Sequence, residues 1–120
     1  MQQNPVPAAD RRIYELRTYH CNPGKLSDLL TRFRDHTMRI FERHGMKNVA
    51  YWVPTDEPGN DNTLVYIISH ENREQARKNW DEFRADPEWI KVKNASEANG
   101  NLVQKIDSLF LEPADFSPMQ

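Results

Sequence analysis

From Ile13 to His20, strand-forming residues alternate in two sets. Tyr14, Leu16 and Thr18 point one way, and Ile13, Glu15, Arg17 and Tyr19 the other. The pattern predicts a β-strand with two opposite charges on one face. Past Asn22-Pro23-Gly24 the period changes. Leu26, Leu29, Leu30, Phe33, Thr37, Ile40 and Phe41 recur at steps of 3, 1, 3, 4, 3 and 1, which is one face of a helix running from Gly24 to His44. Asn22 is placed to cap this helix, Pro23 suits its first position and Gly45 ends it. Unbroken, it would be about 31 Å long.

Val49–Val53 and Leu64–His70 read as two more strands, joined by the turn-rich PTDEPGND. A second helix opens at Glu71 or Asn72 and buries Ala76, Trp80 and Phe83, spaced 4 and 3. Asp86-Pro87 restarts it as a cap and first-turn proline, with Trp89 and Val92 as anchors. Asn99-Gly100-Asn101 stops it, and Leu102–Glu112 is the last strand. Residues 1–10 and 114–120 read as tails around one domain, 11–113. The order β-α-β-β-α-β predicts an α+β, ferredoxin-like fold: a four-stranded antiparallel sheet with helices on one face.

Helices on one face should leave the other polar, but these strands are apolar on both. Leu64, Tyr66 and Ile68 alternate with Val65 and Ile67, and Tyr51 and Val53 with Ala50 and Trp52. Two helices cover one side only. A second sheet must cover the other, and an identical chain is its simplest source, so a homodimer is expected. On this reading Glu15, Arg17 and Tyr19 lie on the sheet-to-sheet face, where buried charges need partners.

The net charge of -2 and the absence of a polybasic tract give no footprint for nucleic acid. The helix charges, such as Arg32, Arg34 and Asp35, or Arg73 and Glu74, read as solvated faces. No segment is long and apolar enough to span a membrane. The single cysteine, Cys21, allows no intrachain disulfide and suits a reducing compartment. The start, MQQNPVPAAD, lacks the basic and apolar blocks of a leader, so a cytoplasmic location is expected. Cys21 and His20 are neighbours on a strand and point to opposite faces, so they are not a ready dyad.

YELRTYHCNPGKLSDLLTRFRDHTMRIFERHGMKNVAYWVP, followed by EQARKNWDEFRADPEW, resembles the NIPSNAP family. The likeness covers about residues 12–113. It rests on the YELRTY strand, the PGK turn, the HGM helix end, the YW pair and the WxxFxxDPEW segment. Ala50 departs from the glycine expected before YW. The resemblance implies a dimeric α+β barrel in which two ferredoxin-like sheets face each other. It implies no single reaction. The wider barrel superfamily includes cofactor-free monooxygenases, lactone isomerases and haem-degrading enzymes, and fold alone does not choose among them.

His36 stands between Phe33 and Ile40 and borders the buried stripe, so it is the candidate acid/base residue. His44 lies on the same face at the helix end, where the dipole favours a cationic ring. With Tyr14, Trp52 and Tyr66, these histidines form a candidate pocket for a small hydrophobic ligand. His20 and His70 read as polar strand ends. The four histidines make no metal-ligand cluster, and neither metal nor cofactor is expected. Haem would need an axial ligand from His36 or His44. Two functions follow: a homodimer that binds a small hydrophobic ligand or a protein partner, or a cofactor-independent monooxygenase or isomerase acting on a hydrophobic or aromatic molecule.

Overall fold

The computed structural model describes residues 11–120; the expected N-terminal tail, 1–10, lies outside them. Four strands, β1 (Ile13–Cys21), β2 (Lys47–Trp52), β3 (Thr63–His70) and β4 (Val103–Leu111), form one sheet in the order β2-β3-β1-β4. Every neighbouring pair is antiparallel. This is the ferredoxin-like α+β fold. Each observed strand lies within one or two residues of the stretch its alternation predicts.

The first helix is not one regular rod from Gly24 to His44. It begins at Leu26 and runs as α1 (Leu26–Arg32), a π-helical turn (Phe33–Thr37) and α2 (Met38–Arg43). Leu29, Phe33, Thr37 and Phe41 are spaced by four, which overshoots a turn of about 3.6 residues. The wider π turn absorbs that drift and keeps all four on the sheet. Inside it, the Thr37 hydroxyl donates to the Arg32 carbonyl at 3.3 Å, five residues back. Asn22 does not cap this helix; its carbonyl accepts from Lys25 N–H, and its side chain donates to the Asn101 carbonyl at 2.9 Å. Gly45, at φ 80°, closes the other end, and the next N–H, of Met46, returns to the Phe41 carbonyl at 3.0 Å.

α3 (Arg73–Ala85) starts as expected, with the Asn72 side chain accepting from Gln75 N–H. Its buried stripe is Ala76, Asn79, Trp80 and Phe83. α4 (Pro87–Ser96) follows directly, capped by Asp86, which accepts from the N–H groups of Glu88 and Trp89. Between helices and sheet lies an aromatic core. Phe33 meets Tyr19, Tyr51 and Tyr66 with ring centroids 5.1–5.6 Å apart, and Phe41 meets Trp80 and Phe83. Tilted and edge-on rings satisfy the quadrupoles as well as the volume.

Register fixes which side chains face the helices. Glu15, Arg17 and Tyr19 pair across the sheet with Ile68, Tyr66 and Leu64, all buried beneath the helices. The expectation that they occupy the sheet-to-sheet face is therefore corrected. On β1 the inward and outward sets are the reverse of that expectation, because alternation separates two sets without saying which set the helices cover. The opposite, open face carries Tyr14, Leu16 and Thr18 of β1, Val65 and Ile67 of β3, Ala50 and Trp52 of β2, and Leu109 and Leu111 of β4. Trp52 is 50% exposed there and Leu109 57%. The C-terminal segment reaches this side, where Tyr14 Oη donates to the Gln120 carbonyl at 3.1 Å.

Asp86 joins the α3–α4 corner to the end of α2. Besides capping α4, it accepts from Arg43 and His44, each at 2.6 Å. These two partners hold its carboxyl well below the usual range, against the opposing effect of burial. Asp86→Ala should cost about 1–2 kcal/mol from the cap alone, read as a lower Tm. Asp86→Asn, which can still cap, should cost less. The Asp86 contribution is present near neutrality and fades as pH falls below the ordinary aspartate range.

Candidate functional site

The charges that β1 carries inward meet a complete set of partners. Glu15 Oε1 accepts from His70 Nε2 at 2.9 Å and from Trp80 Nε1 at 2.8 Å. Its Oε2 accepts from Arg17 at 2.9 Å and from the Ser108 hydroxyl at 2.6 Å. One carboxylate thus ties β1 to β3, β4 and α3. Glu15 is 2% exposed. Burial pushes its carboxyl up, but hydrogen bonds from His70, Ser108 and Trp80 and the charge of Arg17 outweigh that and hold it at about 2.

Arg17 spends its other donors on phenol oxygens: Nε on Tyr66 at 2.9 Å and Nη2 on Tyr19 at 3.2 Å. Tyr66 Oη donates to Tyr19 Oη at 3.0 Å. The guanidinium lies over the Trp80 ring, 4.2 Å from its centroid. Burial disfavours its charge, yet Tyr66, Tyr19 and Glu15 keep its pKa above the usual value. Burial, and beside it Tyr19, raises the Tyr66 phenol. At neutral pH the assembly is a fixed carboxylate–guanidinium pair with the neutral Tyr66 phenol beside it.

Above this network a cleft of about 360 Å³ opens between α3 and β4. Glu15, Arg17, Trp80 and Phe110 line it, with Arg73, Arg77, Asp81 and Arg84 along its α3 side. The cause is local: Arg73, Arg77, Trp80 and Arg84 are spaced 4, 3 and 4 along α3, so they form one stripe facing β4. Arg73 lies 3.7 Å from the Phe110 centroid, and Arg84 5.5 Å from that of Trp80. A second depression, of about 400 Å³, lies between α1 and the turn around Asp61. Leu26, Thr31, Arg34 and Asp61 are among the residues that line it.

The structure does not bring the expected pocket residues together. Tyr14 and Trp52 lie on the open sheet face, while Tyr66 is buried under the helices. His44 is bound to Asp86 at the end of α2. His36 is half-buried in the π turn, its Nδ1 buried without a hydrogen-bond partner. His70, read as a polar strand end, is instead fully buried on Glu15. Cys21 is buried, and burial raises its thiol pKa against the charge of Arg32. Sequence reasoning missed His70, Trp80, Ser108 and the α3 arginines as one site. The 4-3-4 spacing on α3 was the available signal, but it resembles any charged helix face. No group of His, Cys, Asp and Glu able to hold a metal occurs among the described residues. No helix among them is long and apolar enough to cross a membrane.

A sequence model of the NIPSNAP family matches residues 14–118. The chain belongs to the NIPSNAP family. Its fold is similar to that of a NIPSNAP family protein of unknown function from Agrobacterium tumefaciens, at 24% identity and a TM-score of 0.76, covering 92% of this chain and 96% of that one. An uncharacterized NIPSNAP domain protein from Burkholderia xenovorans is 22% identical with a TM-score of 0.73, covering 88% and 98% of the two chains. More distant is SnoaB, a cofactor-independent oxygenase from Streptomyces nogalater: 15% identity, TM-score 0.60, with 90% and 98% covered. At these identities the likeness speaks for the fold and not for an activity. No curated protein matches this sequence.

Glu15 and Arg17 form a buried pair in which each satisfies the other. Removing one member of such a pair costs about 3–5 kcal/mol. Arg17→Ala should therefore destabilise the chain's own fold, measured by denaturant unfolding; an unchanged midpoint would remove the pair from its structural role. The pH dependence has a fixed sign. The folded Glu15 pKa, about 2, is below its ordinary 4.5, so its contribution is complete above pH 4.5 and is lost as pH falls from 4.5 towards 2. Glu15→Gln should flatten the melting profile across that window.

Proposed function

We propose that this NIPSNAP chain is a homodimeric binding protein that takes a small hydrophobic ligand in the cleft between α3 and β4. The observation that carries the reading is the cleft itself: two aromatic side chains, Trp80 and Phe110, over a floor whose polar atoms already have partners. Its volume, about 360 Å³, suits a small organic molecule. Trp80 spends its N–H on Glu15, so only its ring is left for a ligand. The floor is rigid and its charges are neutralised in place, which suits binding more than proton transfer. Glu15 has both oxygens occupied by donors and stays ionised down to about pH 2, so it is a poor acid and a hindered base. A monooxygenase or isomerase is the weaker reading for that reason, and it would need another acid/base group, for which His36 is the candidate.

The dimer is supported by the open sheet face. Leu16, Ile67, Val65, Trp52 and Leu109 lie there without a helix above them. The charges on this face stand towards its two ends: His20, which binds Asp107 at 2.9 Å, and Lys105 at one, and Lys47, paired with Ser69, at the other. An apolar centre with charge kept to its margin suits the same face of a second copy, related by a two-fold axis.

Sedimentation should give a particle of twice the 14.1 kDa chain mass at micromolar concentration. Leu109→Arg should shift it to monomer while the circular dichroism spectrum is retained. A wild-type monomer would remove the dimer. For the cleft, titration with 2-naphthamide should move the Trp80 indole resonance in the NMR spectrum, and Phe110→Ala should weaken the response. A response at Trp52 alone would place binding on the open face and reject the cleft.

A further inference from the structure

The α3 wall of the cleft carries more positive charge than its partners neutralise. Four arginines, Arg17, Arg73, Arg77 and Arg84, share the lining with two carboxylates, Glu15 and Asp81, in a chain whose net charge is -2. Arg17 is consumed by the buried network. The other three are not. Arg73 has a ring contact with Phe110 and no ion pair among the described residues. Arg77 and Arg84 approach the Asp81 carboxylate from two sides, at 3.9 and 3.7 Å. Those distances are beyond a hydrogen bond, and all three side chains are more than 60% exposed, so the two guanidinium groups keep their donors.

We propose that the cleft is an acceptor site for small aromatic carboxylates, with Arg77 and Arg84 as the anion-binding pair and Phe110 beside Trp80 as the seat for the ring. The inference rests on the cleft being the ligand site. Guanidinium forks match a carboxylate in two-point geometry. Asp81 shows that a carboxylate fits between them from the rim. A ligand carboxylate entering from the β4 side meets the same pair from the cleft. Arg73, stacked on Phe110, closes the far end over the ring. A cleft of one dominant sign also draws anions from solution, and that attraction falls with ionic strength.

The test compares 2-naphthoate with its neutral isostere 2-naphthamide by calorimetric titration, with the Trp80 indole resonance as the locator. The acid should bind about tenfold more tightly than the amide, as expected for one exposed charge-assisted pair. Raising the salt from low to high should weaken the acid and leave the amide alone. R77Q/R84Q should bring the acid down to the affinity of the amide, while Arg34→Gln, in the π turn and outside the cleft lining, should change neither. Arg77 and Arg84 are exposed, so the double variant should keep its circular dichroism spectrum and Tm. Equal affinity for acid and amide, both moving Trp80, overturns the anion preference and leaves the ligand cleft standing. Acid binding that persists in R77Q/R84Q overturns the assignment of the pair. If neither compound moves the Trp80 resonance, the cleft reading and this inference fall together.

Discussion

One buried carboxylate organises the molecule. Glu15 sits on the central strand β1, and its two oxygens accept from β3, β4, α3 and its own strand. Leaving any donor out would strand a buried polar group, which costs more than the bond contributes. The network therefore specifies more than it stabilises. Trp80 can donate to Glu15 only if α3 lies at one depth and rotation over the sheet, and Ser108 only if β4 keeps its register beside β1. An apolar core of the same volume would tolerate small shifts of both.

That constraint propagates to the surface. With Trp80 pinned by its N–H, Ala76 and Phe83, one turn away on one flank, turn into the core, and Arg77 and Arg84, one turn away on the other, face the gap towards β4. Arg17, held below by Glu15 and two phenols, fills the space under the Trp80 ring and keeps the floor shallow. The cleft is thus a consequence of where the polar core is satisfied. The aromatic cluster around Phe33 plays the corresponding part on the other half of the sheet. The π turn holds Phe33 within contact of Tyr19, Tyr51 and Tyr66, so the helix-covered side is closed there, while the cleft opens beside β4.

The open face obeys a different rule. A sheet covered on one side alternates apolar and polar residues when water covers the other. Here Leu16, Val65, Ile67 and Leu109 break that alternation. Their neighbours on the helix side include Glu15, Arg17 and His70, so β1 and β3 carry much of their polarity inside and apolar residues outside. This inversion is why charge was a poor guide to which side of the sheet is covered. The polar set is buried because it is self-satisfied, and a charged pair two residues apart on a strand reads the same whichever way it faces.

The sequence by itself determined the periodicities. They place four strands and the helices within a residue or two, along with Asn72 and Asp86 as caps, Gly45 as a stop and the order that makes the sheet ferredoxin-like. These follow from local sterics and capping, which act over a few residues. It also held the motifs that assign the family. Three features were decided only by tertiary structure: the direction in which Glu15 and Arg17 point, the burial of His70, and the meeting of α3 arginines with Phe110. Each depends on residues 30 or more positions apart coming within a few ångströms, as Glu15 and Trp80 do, and no local pattern encodes such a distance. Tyr14, Trp52 and Tyr66 show the converse. They look alike in the sequence as strand aromatics, and strand pairing puts Tyr66 on the opposite side of the sheet from the other two.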